Sequence, residues 1–326
     1  MGFIWSVWIE MVGGGMERKE QFLQKPIVVW LGALLCCALW GSAFPSIKIG
    51  YQMFDITPDD MAAQILFAGC RFALAGVFAL LIGSAGAQKI LVPGRESWGK
   101  VLRLCMLQTV MQYLFFYIGL ANTTGVKASI IGGVNVFLAI LVASLMFRQE
   151  SLTGSKITGC AIGFAGVVLV NLAGNGMDLN LTFKGEGFIF LSAIAYAFSS
   201  VYLKRYSKAE HPVTLSGWQF LIGGAIMILC GFAVGGSLPV WTGSGVAMLA
   251  YLALISAVAY SLWGILLKYN PVSRVAVFGF MNPVFGVLLS ALFLGEPGSL
   301  GIMSAAALVL VCAGIYIVNR GGVRDV

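Results

Sequence analysis

Hydrophobic residues run along this chain in long blocks with little strict alternation, broken only by short polar or basic segments. Ten charge-poor stretches of about 17 to 24 residues can be drawn, each close to the roughly 20 residues a helix needs to cross about 30 Å of hydrocarbon. They lie near 27–48, 61–84, 101–121, 126–147, 155–173, 186–204, 213–235, 245–267, 274–294 and 299–319. No Asp, Glu, Lys or Arg occurs between His211 and Lys268. The pattern predicts an all-α integral membrane protein with ten transmembrane helices.

The blocks are doubled, and a repeat changes every later inference. ALWGSAFPSIK (38–48) is echoed by AIAYAFSSVYLK (193–204), which aligns Trp40 with Tyr196 and Lys48 with Lys204. GCRFALAG (69–76) is echoed by GWQFLIGG (217–224), with Gly69 on Gly217, Phe72 on Phe220 and Gly76 on Gly224. VFLAILVASLMFRQE (136–150) matches NPVFGVLLSALFLGE (282–296), and AGVVLVN (165–171) matches AGIYIVN (313–319). The order divides the chain into an N-terminal segment 1–26, a first five-helix repeat 27–173, a linker 174–185, a second repeat 186–319 and a tail 320–326. Five crossings per repeat is an odd number, so the two copies must be inverted relative to one another in the bilayer.

Composition agrees: 59% of residues are hydrophobic, 10% charged, and the mean hydropathy is +0.93, against roughly 25% charged in soluble domains. The net charge of +7 does not point to nucleic acid, because the placement of the cations is topological. Sixteen of the twenty Lys and Arg residues fall at one end of the expected bundle, three at the other (Lys48, Lys127, Lys184), and Arg71 lies within a span. That bias predicts a multi-pass protein of a bacterial plasma membrane with both termini cytoplasmic. All seven cysteines lie inside expected spans without metal-ligand spacing, and read as packing residues.

MGFIWSVWIEMVGGG (1–15) is too short to span and precedes a second plausible start at Met16. A translation start at Met16, with 1–15 an over-long reading of the gene, and an interfacial anchor through Trp5 and Trp8 are both open. Short loops leave no room for a soluble catalytic domain. Small residues at four-residue spacing, Gly159 with Gly163 and Gly231 with Gly235, predict close helix packing; on the fifth and tenth helices they leave packing within one chain and a homodimer both open.

The two five-helix units, the Trp40-Gly41 and later Pro45 of the first helix, Arg71 in the second, and Glu150 and Glu296 closing the fourth and ninth together resemble the drug/metabolite transporter superfamily in its EamA-like branch. The resemblance spans residues 27–319 and implies ten helices around a central cavity and, commonly, export of amino acids or related metabolites. One departure is visible: Pro283 of the ninth helix has Phe137 at the matching place in the fourth, so the analogy gives no proline kink there.

Candidate chemistry centres on Arg71, whose charge costs about 2.5–3.5 kcal/mol at the middle of a span and therefore needs a partner. A guanidinium facing a cavity offers a two-pronged fork to a carboxylate; tying down backbone carbonyls is the alternative. No acid lies in the core of any span, so a proton relay through a midplane carboxylate is not expected. Glu150 is expected to serve the start of the following helix. On the third helix, i and i+4 spacing puts Gln108, Gln112 and Phe116 on one stripe, with Tyr113 and Tyr117 beside it. The glutamines are expected to bind substrate or to join helices. Ser256, Tyr260 and Trp263 share a face of the eighth helix. Asn135 and Asn282 mark the fourth and ninth helices as cavity-lining, Trp40 and Tyr196 are cavity or gate positions, and Lys127 is expected to snorkel outward.

The expected function is secondary transport of a small organic metabolite, an amino acid or related carboxylate, by rocking of the two units, with no cofactor. An exporter of cationic lipophilic compounds would be expected to carry an embedded acid. A membrane enzyme or a scaffold fits less well: the single His211 lies beside Pro212 in a loop, and no nucleophile or metal set accompanies it.

Overall fold

The computed structural model describes residues 16–57, 59–123, 125–172, 181–294 and 302–321; the first fifteen residues, most of the linker, Glu296 and Arg324 lie outside them. The described residues are helical almost throughout, and nine helices are long and apolar enough to cross a membrane. In order these are Pro26–Met53, Met61–Ala87, Arg95–Ala121, Gly154–Leu172, Phe183–Tyr206, Pro212–Ala233, Gly243–Tyr269, Val272–Leu289 and Ile302–Arg320. The fourth of the ten expected helices is present but shorter, as Ile130–Met146.

Local chemistry sets the helix ends. Asp60 accepts from the Ala63 N–H at 2.8 Å to open the second membrane helix, and Thr242 accepts from Gly245 N at 3.0 Å to open the eighth. His211 caps the seventh through Nδ1, with Pro212 in its first turn.

Helix neighbours exchange under a swap of the two repeats. The first helix packs on the eighth and ninth, and the sixth on the third and fourth; the second pairs with the seventh and the fifth with the tenth. Glycines make the last two contacts possible. A Cβ on Gly76 would sit 2.4 Å from Leu221 N, and one on Gly224 2.2 Å from Ala73 N. A Cβ on Gly314 would meet Gly159 O at 2.5 Å and one on Gly163 would meet Phe280 at 2.6 Å, so the fifth-helix glycines are spent within one chain. Gly235 differs from its expectation. It follows the end of the seventh helix with φ of +87° and nothing near its Cβ position, so it turns the chain and does not pack it.

The fourth and ninth helices are broken. The fourth changes from Gly125–Gly133 to Asn135–Leu141 at Val134 and ends in a π-helical turn, Val142–Met146; the ninth runs Val272–Ala276, a 3-10 turn Val277–Phe280, then Met281–Leu294. The break in the fourth needs no proline. The first helix, by contrast, runs unbroken through Pro45, with the Ser42 and Ser46 hydroxyls donating to Leu39 O and Ser42 O, each at 2.8 Å.

Candidate functional site

Arg71 lies ten residues into the second helix, about 15 Å from its start, and is 5% exposed. Its Nε and Nη2 donate to Ser256 Oγ on the eighth helix at 3.1 and 2.9 Å, and the Ser256 hydroxyl donates to Leu252 O at 3.1 Å. Two of the five guanidinium donors are thus used on one hydroxyl. Among the described residues no carboxylate pairs with Arg71. The tyrosines of three helices stand within its electrostatic reach: Tyr51, Tyr113, Tyr117 and Tyr260.

The stripe on the eighth helix continues upward from Ser256 as its spacing predicts. Tyr260 Oη meets Tyr113 Oη at 2.8 Å, and the Trp40 ring packs edge-on against both Tyr260 and Trp263 at 5.0 Å. Phe72 and Phe220, which the repeat aligns, stack at 5.3 Å with 18° between their planes; Phe220 also packs on Tyr260 at 4.8 Å and Phe72 on Tyr113 at 4.3 Å. Repeat-related rings that touch each other lie on the axis relating the repeats, so the aromatic box is built across it. Trp40, Tyr51, Tyr113 and Tyr196 are deeply surrounded by protein or packed in clusters yet keep part of their surface accessible, as side chains facing an internal space do.

Polar atoms with nothing to bind mark the same region. Trp40 Nε1, Trp263 Nε1, Gln112 Oε1 and Asn282 Oδ1 are buried without a hydrogen-bond partner. Each buried, unpaired polar group costs about 1–3 kcal/mol. These four are groups that a polar ligand would relieve; Ser144, Gln149, Ser216, Ser261 and Asn319 hold unpartnered atoms outside the candidate set. Asn282 lies one turn before Phe285, which packs on Gly41 beside Trp40.

Gln108 and Gln112 meet different partners. Residues Cys105–Met111 form a π-helical turn. Gln108, 1% exposed, accepts from Gln219 Nε2 of the seventh helix at 3.2 Å, and Thr109 donates to Gln219 Oε1 at 2.6 Å. Gln112 remains beside Tyr260. Tyr196 lies within reach of Tyr113 and Tyr260 on the sixth helix, and Asn135 directly follows the break in the fourth. Sequence reasoning missed Tyr51, because the first helix runs to Met53 and not to 48; it also used Phe72 and Phe220 only as repeat markers.

Two polar clusters bridge the repeats, one near each end of the bundle. Glu150 accepts from Ser273 N at 2.9 Å, Ser273 Oγ at 2.5 Å and Lys156 Nζ at 3.2 Å, so it serves the backbone start of the ninth helix and pairs with Lys156 in the first turn of the fifth. Lys204 binds Leu267 O and Asn270 O nearby, joining the sixth helix to the end of the eighth. At the opposite end Lys127 lies 3.5 Å from Glu186, which also accepts from Thr123 Oγ1 and from Thr182 N and Oγ1. Lys127 therefore turns inward to an acid. A cleft of about 600 Å³ lies apart from all of this, lined by Leu102, Arg103, Met106, Leu107, Phe198 and Tyr202, and none of the ten candidate residues borders it.

Two repeats, broken fourth and ninth helices and a cationic aromatic centre are a transporter's anatomy, and the model of the EamA-like transporter family matches the chain twice, at residues 27–172 and 183–320. The chain belongs to the EamA-like transporter family. It is 26% identical over 285 residues to the uncharacterized transporter YvbV of Bacillus subtilis, covering 86% of this chain and 88% of that one. It is 28% identical to a protein of Salmonella typhimurium named "Probable amino-acid metabolite efflux pump", over 93% and 95% of the two chains, and 28% identical to one of the same name in Escherichia coli, over 95% and 97%. A solved crystal structure superposes with a TM-score of 0.74 over 91% of this chain and 98% of that one, at 16% identity, which shows a shared fold. This family member is a multi-pass membrane transporter, not an enzyme.

Proposed function

We propose that this transporter exports a small organic metabolite bearing a carboxylate, an amino acid or related compound, from the cytoplasm of a bacterial cell. The observation that carries the reading is Arg71: a midplane guanidinium with no acid partner among the described residues and with donors left over. A substrate carboxylate takes the free side of the fork. Gln112 and the indole N–H groups of Trp40 and Trp263 hold its remaining polar atoms, and Tyr113, Tyr196 and Tyr260 face its side chain. Asn135 and Asn282 contribute from the broken helices, while Gln108 holds the third helix to the seventh. The names of the relatives from Salmonella and Escherichia coli agree with this substrate class.

The two cross-repeat clusters act as the closures of an alternating-access cycle. Opening the basic end, which is the cytoplasmic one if the positive-inside rule holds, separates Glu150 from Ser273; opening the other end separates Lys127 from Glu186. The test is a thermal-stability screen of the purified protein in detergent against neutral amino acids, organic anions, nucleosides and cationic dyes. Stabilisation by carboxylates alone supports the reading. Stabilisation by cationic dyes alone refutes it and makes the chain a drug exporter.

A further inference from the structure

The 600 Å³ cleft is lined by Leu102, Met106 and Leu107 of the third helix and Phe198 and Tyr202 of the sixth, with Arg103 at its border. Leu102 is 49% and Met106 44% exposed, so the cleft opens on the side of the bundle that faces lipid. Arg103 is exposed, donates to Tyr206 Oη at 2.6 Å and lies 5.6 Å over the Tyr202 ring. Among the described residues no carboxylate pairs with it. Phe147 packs edge-on against the Tyr202 ring at 5.1 Å. Arg103 stands five residues, about 7.5 Å, inside Trp98, which packs on Trp218 at the basic end as an interfacial pair.

We propose that this cleft binds an anionic glycerophospholipid from the leaflet at the basic end, its phosphate on Arg103 and one acyl chain along the Leu102, Met106 and Phe198 wall. Charge and shape both select that occupant. A cation about 7.5 Å inside the interfacial tryptophans, on a side chain long enough to reach back to the headgroups and with no acid partner among the described residues, lacks a counterion that an anionic headgroup supplies, and basic pockets between helices on this side take such headgroups. The guanidinium is already oriented by Tyr206 and Tyr202, so little ordering remains to be done. A volume of this size suits a chain-sized apolar ligand. The leaflet is inner on the orientation proposed above.

The test is native mass spectrometry of the full-length protein released from detergent with added dioleoyl-phosphatidylglycerol or dioleoyl-phosphatidylcholine. The wild type is expected to retain phosphatidylglycerol selectively, and Arg103→Gln to hold it about tenfold more weakly, as the loss of a charged hydrogen bond implies. Met106→Trp, which keeps the charge and fills the cleft, is expected to lose the adduct as well. Inorganic phosphate in excess should not displace the lipid. Equal retention of both lipids, retention by Arg103→Gln, retention by Met106→Trp, or displacement by phosphate would each overturn the proposal. No substrate enters these measurements, so failure here leaves the transport reading standing, and failure of the ligand screen leaves this one.

Discussion

Replacing Arg71 by Gln separates a ligand anchor from a structural tie. Folding loses two bonds to Ser256, but that hydroxyl keeps its own bond to Leu252 O, so no donor is stranded. Removing a midplane charge returns about 2.5–3.5 kcal/mol on the insertion scale. The two terms are of similar size, so the ligand-free variant should be close to the wild type in stability. Its response to substrate should differ sharply. A stabilising carboxylate at 100 times its dissociation constant raises wild-type stability by about 2.7 kcal/mol. Losing a charged hydrogen bond of about 1.5–3 kcal/mol weakens binding roughly 12- to 160-fold. At the same concentration the stabilisation then falls to about 0.3–1.3 kcal/mol. The assay is thermal unfolding of purified wild type and variant in one detergent, with and without the carboxylate found in the screen. A destabilised ligand-free variant that still responds fully would show that Arg71 holds the second helix to the eighth and does not touch substrate.

Three further outcomes are expected. Gln108→Leu should cost about 1–3 kcal/mol by leaving the Gln219 amide short of a partner while flux in liposomes persists; Gln112→Leu should lose flux at undiminished stability, and the opposite pattern would reverse the two roles. Glu150→Ala leaves buried Lys156 with Ser151 O but without its ion partner, so up to about 3–5 kcal/mol of local stability should disappear, read as faster amide hydrogen exchange at Ser273 with the far end unchanged. Gly224→Ala puts a methyl 2.2 Å from Ala73 N, backbone that cannot swing aside, and should destabilise by at least the roughly 1–3 kcal/mol of an overpacked core; a neutral result in thermal unfolding would mean that the second and seventh helices are not in contact there.

Much of the fold could be read from the chain because the bilayer enforces it. A span must be apolar and about 20 residues long wherever it lies, so the ten crossings show in a one-dimensional pattern, and the repeat shows because each copy faces the same solvent. The Ser256, Tyr260 and Trp263 stripe was legible for a related reason: the eighth helix is a regular α-helix over that stretch, so spacing alone sets direction. The third helix was less legible: its π turn over 105–111 is a hydrogen-bond register that hydrophobicity does not record, and Gln108 is held by Gln219 of another helix.

What the sequence by itself determined is a doubled set of membrane helices, a buried charge that needs a partner and an aromatic supply around it. Only the tertiary structure decided which groups meet. It brought Phe72 onto Phe220, spent Gln108 on Gln219, carried Glu150 to the start of the ninth helix as well as to Lys156 of the fifth, and turned Lys127 inward to Glu186. Each of these contacts joins residues from different helices, and helix pairing depends on where the glycines let backbones approach. Local sequence fixes the helices one at a time; the site exists only between them.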